Sequence, residues 1–422
     1  MKALPMTDVA FLTDVEGRWE KLKSFTTNHP LISWVDDQLV VHQGAHFVFG
    51  GDAVDRGPSS LRIMQTLLDL KQRQPSQVTL LAGNRDLNKL RFSRELRGYP
   101  PTRTPDEARG DTVSLVRWIL TNTMGARDAF EHRQRELEAL AHGAIDPREV
   151  AESFARDVQR DGLMLRYLRA CVLALRMGDT LFVHGGVTPE NLFAVPTETF
   201  GHEGHPAVTH ASDRNVDAWI SELNAFYRDG IARFDANHAS PVREGPPPWA
   251  GLVAYQAPLR GRQDNPFSVV YARAADEHNN PRLPALSVIE TLQQEGIDRV
   301  VVGHTPSGDF PSVLRFGSFV LVLADNSYGR IELGSRVQLS SRDTHIAGVA
   351  RTDDAAELTI DAHLVTGDQS LIGQRISASQ EVIKAGETPE DYVLFRGHEG
   401  YRTSQRRVRA EALSGLALEP AF

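Results

Sequence analysis

Five apolar runs of β character organise this chain. VAFLT, HFVF, VTLLA and RVVV each run straight into a short polar, glycine-containing segment, and TLFV closes on another: DVEG at 14–17, GGDAVDRG at 50–57, GNRD at 83–86, GHTP at 303–306 and VHGG at 183–186. Helical stretches over 17–27 and 59–72 separate the first three runs, and strands alternating with helices predict a layered α/β fold. The polar segments then lie at the carboxyl ends of strands, where open α/β sheets bind ligands.

With 422 residues the chain is long enough for one large domain or two, with a sizeable core. A formal charge of -9 supplies no global field toward nucleic acid or membrane, so any anion binding is local. Cys171 is the only cysteine, which excludes an intramolecular disulfide and a multi-cysteine zinc site; its setting, RACVLALRM, reads as a buried helix face. No stretch reaches signal-peptide length at the start or the roughly 20 apolar residues of a membrane span, so a cytoplasmic protein is expected.

Along the chain, QLVVHQGAHFVF reads as a hairpin, QVTLLA as a strand, and the Arg-rich sequence after Asp86 as helical, giving a helical insertion over about 98–178. TLFVHGG resumes the α/β pattern, followed by helices near 216–234 and 285–295, the strands RVVV and FVLVLAD, and between them a Pro-rich irregular segment, 240–266. Beyond Ile331 the fragments RIELG, ELTIDAHLV, QRISASQ and DYVLFRG favour short strands. The expected division is a domain over 1–335 carrying the insertion, and a β-rich extension over 336–422 packed on it.

Asp14 and Glu16 lie two apart at a strand end, where one turn can direct both carboxylates to a point. The plainer role of Asp14 is to cap the helix starting near Gly17. In GGDAVDRG the glycines allow close backbone approach around Asp52 and Asp55, and Asp52 is placed to bridge two cations. GNRD adds Asn84, a neutral oxygen ligand, and Arg85, a fixed cation, although Gly-Asn alone also reads as a turn. His184 and His304 supply imidazoles, the commonest nitrogen ligands of transition metals. Each residue alone has an ordinary structural role. Six ligand-type residues at strand ends, with glycine near each, together point to a metal cluster.

The set resembles the calcineurin-like metallophosphoesterases, and within them the branch of Ser/Thr phosphoprotein phosphatases and diadenosine-tetraphosphatase-like enzymes. GDAVDRG, VHGG and GHTP carry most of the resemblance, which spans roughly Val9 to Arg330 with long insertions. It implies a β-sandwich of two mixed sheets flanked by helices, with a two-metal centre at one end. It further implies that Asp14, Glu16 and Asp52 hold the first ion, that Asp52, Asn84, His184 and His304 hold the second, and that Arg56 contacts phosphate. The implied reaction is hydrolysis of phosphoric esters or anhydrides by a metal-bridging hydroxide, without a covalent intermediate. The substrate would be a phosphorylated small molecule, nucleotide or phosphoprotein; neither membrane association nor general nucleic-acid binding is expected. Three carboxylates against two divalent ions leave a net positive centre, and Arg56 and Arg85 add forked donors for a phosphate anion.

Two positions depart from the family pattern. Glu16 stands where histidine is usual; a harder, charged ligand shifts the expected metal to manganese, ahead of magnesium, iron or zinc. Arg85 stands where the family has the histidine that protonates the leaving oxygen, and a guanidinium with a pKa above about 12 cannot do so. Asp55, the partner of that histidine, is expected to pair with Arg85, making the arginine an electrostatic clamp. Good leaving groups are then favoured, or a proton from elsewhere, such as His202, His205 or His210, which sit in what reads as a polar loop. The basic run Arg85, Lys89, Arg91, Arg94, Arg97, Arg103 and Arg109 is interleaved with acids and reads mainly as a solvated helix face, with Arg91 the member most expected at the substrate. Tyr328 loosely matches a tyrosine beside the metals of phosphoprotein phosphatases, and Trp249 is either a substrate cover or a loop anchor. Two rival readings remain: a dinucleoside-polyphosphate or capped-RNA hydrolase, and a catalytically decayed phosphate-binding scaffold.

Overall fold

A computed structural model describes residues 4, 6–27, 29–200, 206–241, 244–327, 335–365 and 370–422. Tyr328, His202, His205 and all of RIELG lie outside these residues. Two mixed sheets form the core. The first has seven strands in the order Glu357–Val365, Asp343–Arg351, Ser335–Leu339, Asp8–Leu12, Ala45–Phe49, Val78–Leu81, Cys171–Val172. The second has five, in the order Ser312–Phe316, Phe319–Asp325, Arg299–Pro306, Thr180–Val183, Ala174–Met177. Val9, Phe11, Val48 and Leu81 of one sheet and Phe182, Val301 and Val322 of the other share one buried cluster, and the Phe11 and Phe182 rings stack at 5.8 Å between centroids.

The central strands are parallel: Asp8–Leu12 with Ala45–Phe49, that with Val78–Leu81, and Arg299–Pro306 with both Thr180–Val183 and Phe319–Asp325. Parallel strands covered on both faces need the continuous apolar runs seen in the sequence. Their common direction brings DVEG, GGDAVDRG and GNRD to the same end of the first sheet. Among the described residues no helix is long and apolar enough to cross a membrane.

The hairpin expected across 38–49 does not form. Gln38–Val41 pairs with Ile32–Val35, and Ala45–Phe49 enters the large sheet. Asp36 and Asp37 adopt left-handed φ of 47° and 59°, the geometry of a two-residue turn whose twist suits a hairpin, while the fully buried Phe47 and Phe49 suit a strand covered on both faces. Cys171 likewise lies on a strand, opposite Leu80, and not on a helix face: a short apolar run has no period to separate the two, and the helix Leu163–Arg169 ends just before it.

Between residues 106 and 169 there are five helices, of which Thr112–Thr123 and Pro147–Asp157 begin with Asp111 and Asp146 accepting from Ser114 and Arg148 N–H. The strands over 335–365 continue the large sheet, Ser335–Leu339 antiparallel to Asp8–Leu12 and each further strand antiparallel to the one before. A separate five-stranded sheet follows, with Gln374–Ile376, Val382–Ala385, Asp391–His398, Arg402–Arg409 and Leu418–Pro420. It is tied to the core by Lys384, whose buried ammonium donates to the carbonyls of Ser307 and Phe310, just past GHTP, and lies 4.4 and 4.3 Å from the Phe310 and Phe395 ring centres.

Burial pushes Lys384 down to about 7, with Asp309 opposing. The unfolded chain, with a lysine pKa of about 10.4, binds more protons than the folded one between those values, so stability should rise with pH across that window. We expect the urea midpoint of unfolding to climb between pH 7 and about 10, and this slope to shrink in Lys384→Met; an equal slope in both proteins would assign the effect to other groups.

Candidate metal centre

The strand ends converge through strained backbone. Asp14, Glu16, Asp52, Asp55 and His304 all have positive φ, at 51°, 48°, 57°, 111° and 58°. Such conformations are disfavoured for side-chain-bearing residues and collect at functional sites. Here they are held by main-chain bonds between the first two signatures: Asp14 N–H to Gly51 O at 3.0 Å, Glu16 N–H to Asp52 O at 2.9 Å and Arg56 N–H to Glu16 O at 2.6 Å. Two glycines make the approach feasible. A Cβ on Gly83 would lie 2.1 Å from Asp52 Oδ1, and one on Gly303 would lie 2.3 Å from Asp14 Oδ2.

Asp14 does not cap the first helix, whose N-cap is Arg18. Its carboxylate accepts from Thr13 Oγ1 at 2.5 Å and from the His304 N–H at 3.1 Å. His184 hydrogen-bonds the Gly50 carbonyl through Nδ1 at 2.7 Å. A carbonyl only accepts, so Nδ1 carries a proton, and in the neutral imidazole Nε2 is then the lone pair. That lone pair faces Asn84 Oδ1 at 3.2 Å and Asp52 Oδ1 at 3.4 Å. Ligand atoms of Asp14, Asp52 and His184 all lie within 4.8 Å of one another. His304 stands beside His184, with ring centres 5.4 Å apart, and its Nε2 is buried with no hydrogen-bond partner. Burial, then Arg273, His184 and Arg85, hold its imidazole well below the usual range, hence neutral. Burial, then Asp325 and Asp52, hold the Asp14 carboxyl well above its usual range.

Glu16 is placed differently. Its Oε1 is 2.5 Å from Arg85 Nε and its Oε2 is 3.1 Å from Arg56 Nε. Even so, burial raises its pKa against the pull of both arginines. Arg85 also reaches Asp52 at 3.6 Å and Asp55 at 3.5 Å, but the nearer partner of Asp55 is the buried Lys89, at 2.8 Å. Asp86, the last residue of GNRD, accepts the backbone N–H of Asp52, Ala53 and Gly83 at 2.9, 2.9 and 3.0 Å. It fastens one signature to the other, while burial and the neighbouring Asp52 push its carboxyl up to about 8.

These groups open into a cavity of about 280 Å³. Asp14, Glu16, Asp52, Asn84, Arg85 and His304 line one part, and Arg91, Tyr271, Arg273, Asp325 and Tyr401 are among those lining the rest; His184, Asp55 and Arg56 are not in the lining. Arg91 is braced by Glu95 Oε1 at 2.8 Å and Thr123 Oγ1 at 2.8 Å. Elsewhere in the basic run, Arg94 and Arg97 bind carbonyls of Gly245 and His238, and Arg109 binds the carbonyl of Thr104. Trp249 packs on Phe234 with ring centres 5.1 Å apart, and His210 ends the strand Pro206–His210 at the surface. Asp325 has a sequence signal of its own, a carboxylate ending the apolar run FVLVLAD as Asp14 ends VAFLT. Arg273 and Tyr401 carry no sequence signal. The Tyr401 hydroxyl accepts from Arg273 at 2.7 Å, while Arg273 Nη1 is buried with no partner.

Residues 7–308 match the family described as calcineurin-like phosphoesterase. Among solved structures, a cold-active protein-tyrosine phosphatase of a psychrophilic Shewanella species is 17% identical over 85% of this chain and 81% of that one, with a TM-score of 0.42. A protein serine/threonine phosphatase from Saccharomyces cerevisiae is 13% identical over 86% and 82%, at 0.36. A metallophosphoesterase from Sphaerobacter thermophilus is 11% identical over 85% and 89%, at 0.27.

Asp86 supplies a test of how the signatures are held together. Asp86→Ala leaves three buried N–H groups unpaired, each worth about 1–3 kcal/mol, so a loss on the order of 3 kcal/mol or more is expected in urea unfolding. Asp86→Asn, which keeps an acceptor oxygen, should lose less.

Proposed function

Because the chain belongs to the calcineurin-like phosphoesterase family, we propose that this metal-dependent phosphoesterase hydrolyses phosphoric esters or anhydrides in the cavity over Asp14, Asp52, Asn84, His184 and His304. One observation carries the reading: the proton-free Nε2 of His184 faces two acceptor oxygens, those of Asp52 and Asn84. Lone pairs aimed at one another are repulsive until a cation lies among them. The orphaned Nε2 of His304 and the upward push on Asp14 fit the same missing charge. Hard oxygens with two imidazoles suit manganese, ahead of magnesium, iron or zinc. Bound divalent ions would supply Lewis acidity at the phosphoryl oxygens and an acidified water.

The donors fit two ions unequally. Asp52, Asn84, His184 and His304 offer lone pairs, whereas Glu16 Oε1 is taken by Arg85, and its Oε2, which has no hydrogen-bond partner, lies 3.1 Å from the Arg56 Nε. In this reading the ion on the histidine side binds tightly and the one on the Asp14–Glu16 side weakly, with Arg85 supplying fixed positive charge beside it. Arg85, oriented by Glu16 and lining the cavity, steadies the phosphoryl oxygens as charge develops on them, while Arg56 pairs with the other Glu16 oxygen. Arg85 gives up no proton, so leaving groups that depart as anions are favoured. Arg91 and Arg273 on the walls favour a substrate with negative charge beyond the scissile phosphate, which supports phosphoanhydrides such as nucleotide polyphosphates within the same reading.

Turnover of p-nitrophenyl phosphate, bis(p-nitrophenyl) phosphate and diadenosine tetraphosphate with added manganese tests the activity; no turnover of any of the three with manganese, magnesium, iron or zinc would refute it. Asp52→Asn should lose both turnover and tight manganese binding while keeping its far-UV circular dichroism. Arg85→His should flatten the dependence of rate on leaving-group pKa across a series of aryl phosphates, and an unchanged slope would show that Arg85 does not set that dependence.

A further inference from the structure

A second group of ligand-type side chains lies on the outer face of the large sheet. In Glu357–Val365 exposed and buried residues alternate strictly, so Asp361 and His363 point to solvent while Ile360, Ala362 and Leu364 point to the core. In the antiparallel neighbour, Asp343 and His345 are partly exposed between buried residues. The register sets His345 directly opposite His363, and their rings lie parallel, 4.0 Å apart and 3° from coplanar. Asp361 Oδ1 is 2.6 Å from His345 Nε2 and 3.9 Å from His363 Nε2. None of the four lines the catalytic cavity.

We propose that His345, Asp361 and His363 form a separate site for a divalent transition-metal ion, with Asp343 as its positioning carboxylate. Asp343 Oδ2 is 2.6 Å from His363 Nδ1. A carboxylate accepts the Nδ1 proton, which leaves Nε2 free as a ligand. This carboxylate–histidine arrangement is the usual orienting device of metal-bound imidazoles. Here His345 Nε2 hydrogen-bonds Asp361 Oδ1, and the ion would take the place of that proton. Because the rings are stacked, their in-plane lone pairs run parallel, and both rings must turn for the two Nε2 atoms to meet one ion. Tetrahedral ligands about 2.0–2.1 Å from zinc stand about 3.3 Å apart, and the present 2.6 and 3.9 Å straddle that value. Two imidazoles and one carboxylate, with solvent completing the shell, select zinc, copper(II) or nickel over magnesium or calcium. Each ligand stands on a paired strand, so the ion would pin the two outermost strands of the sheet to each other.

The test uses the full chain with its cavity saturated by manganese, titrated calorimetrically with zinc. Wild type should take up one zinc beyond any that displaces manganese, and its unfolding temperature should rise with zinc concentration as binding to the folded state requires. His345→Ala and His363→Ala should both lose this uptake, and His363→Ala, whose side chain is 58% exposed, should keep the metal-free unfolding temperature. Asp343→Asn should weaken it by about 10- to 100-fold. With copper(II), electron paramagnetic resonance should show coupling to two imidazole nitrogens that disappears in either histidine variant. Equal zinc uptake by wild type and both histidine variants, or a copper spectrum unchanged by them, would overturn the site.

Discussion

Carboxylates gathered out of water at one end of a sandwich are the constraint on which the rest of this structure depends. Asp14, Glu16, Asp52, Asp55, Asp86 and Asp325 are all buried within or beside the cavity. Buried charges of one sign are tolerated only when paired or hydrogen-bonded. The chain meets this with a shell of bases: Lys21 hydrogen-bonds the Asp14 carbonyl, Lys89 pairs with Asp55, and Arg85 and Arg56 pair with Glu16. Asp86 is answered by three main-chain N–H groups instead. Asp14, whose carboxylate is held by Thr13 and the His304 N–H, and Asp52 stand beside the imidazole nitrogens, and that is where a metal ion fits.

Glu16 and Arg85 are buried as a pair, the carboxylate gaining a counter-charge and the guanidinium an anchor. Neither residue alone would be as well placed: Arg85 without Glu16 would rest on Asp52 and Asp55 from 3.5 Å or more, and Glu16 without Arg85 would bury a carboxylate with Arg56 as its main counter-charge.

The sandwich was legible because its central strands are parallel and covered on both faces, which demands unbroken apolar runs with polar tips. Asp14, Asp52, Asn84, His184 and His304 came from those tips. The hairpin at Asp36–Asp37 was missed because QLVV and HFVF look alike until the aspartates are granted left-handed φ. Cys171 was misplaced because four or five apolar residues carry no period. Arg273, Tyr401, Lys384 and the pair His345–His363 were beyond reach for another reason: each depends on which distant segments become neighbours, which local sequence does not encode.

The strand bearing Asp14 is flanked on one side by Ala45–Phe49 and on the other by Ser335–Leu339, with Val9 opposite Leu339 and Phe11 opposite Val337. One of its edges therefore stays unpaired during synthesis until more than three-quarters of the polypeptide has been made. At translation speeds of about 5–20 residues per second that interval is on the order of tens of seconds. An open apolar edge of that lifetime invites pairing with other nascent chains, so the yield of this protein in a cell should depend on chaperones that occupy early segments more than on the thermodynamic stability of the finished fold.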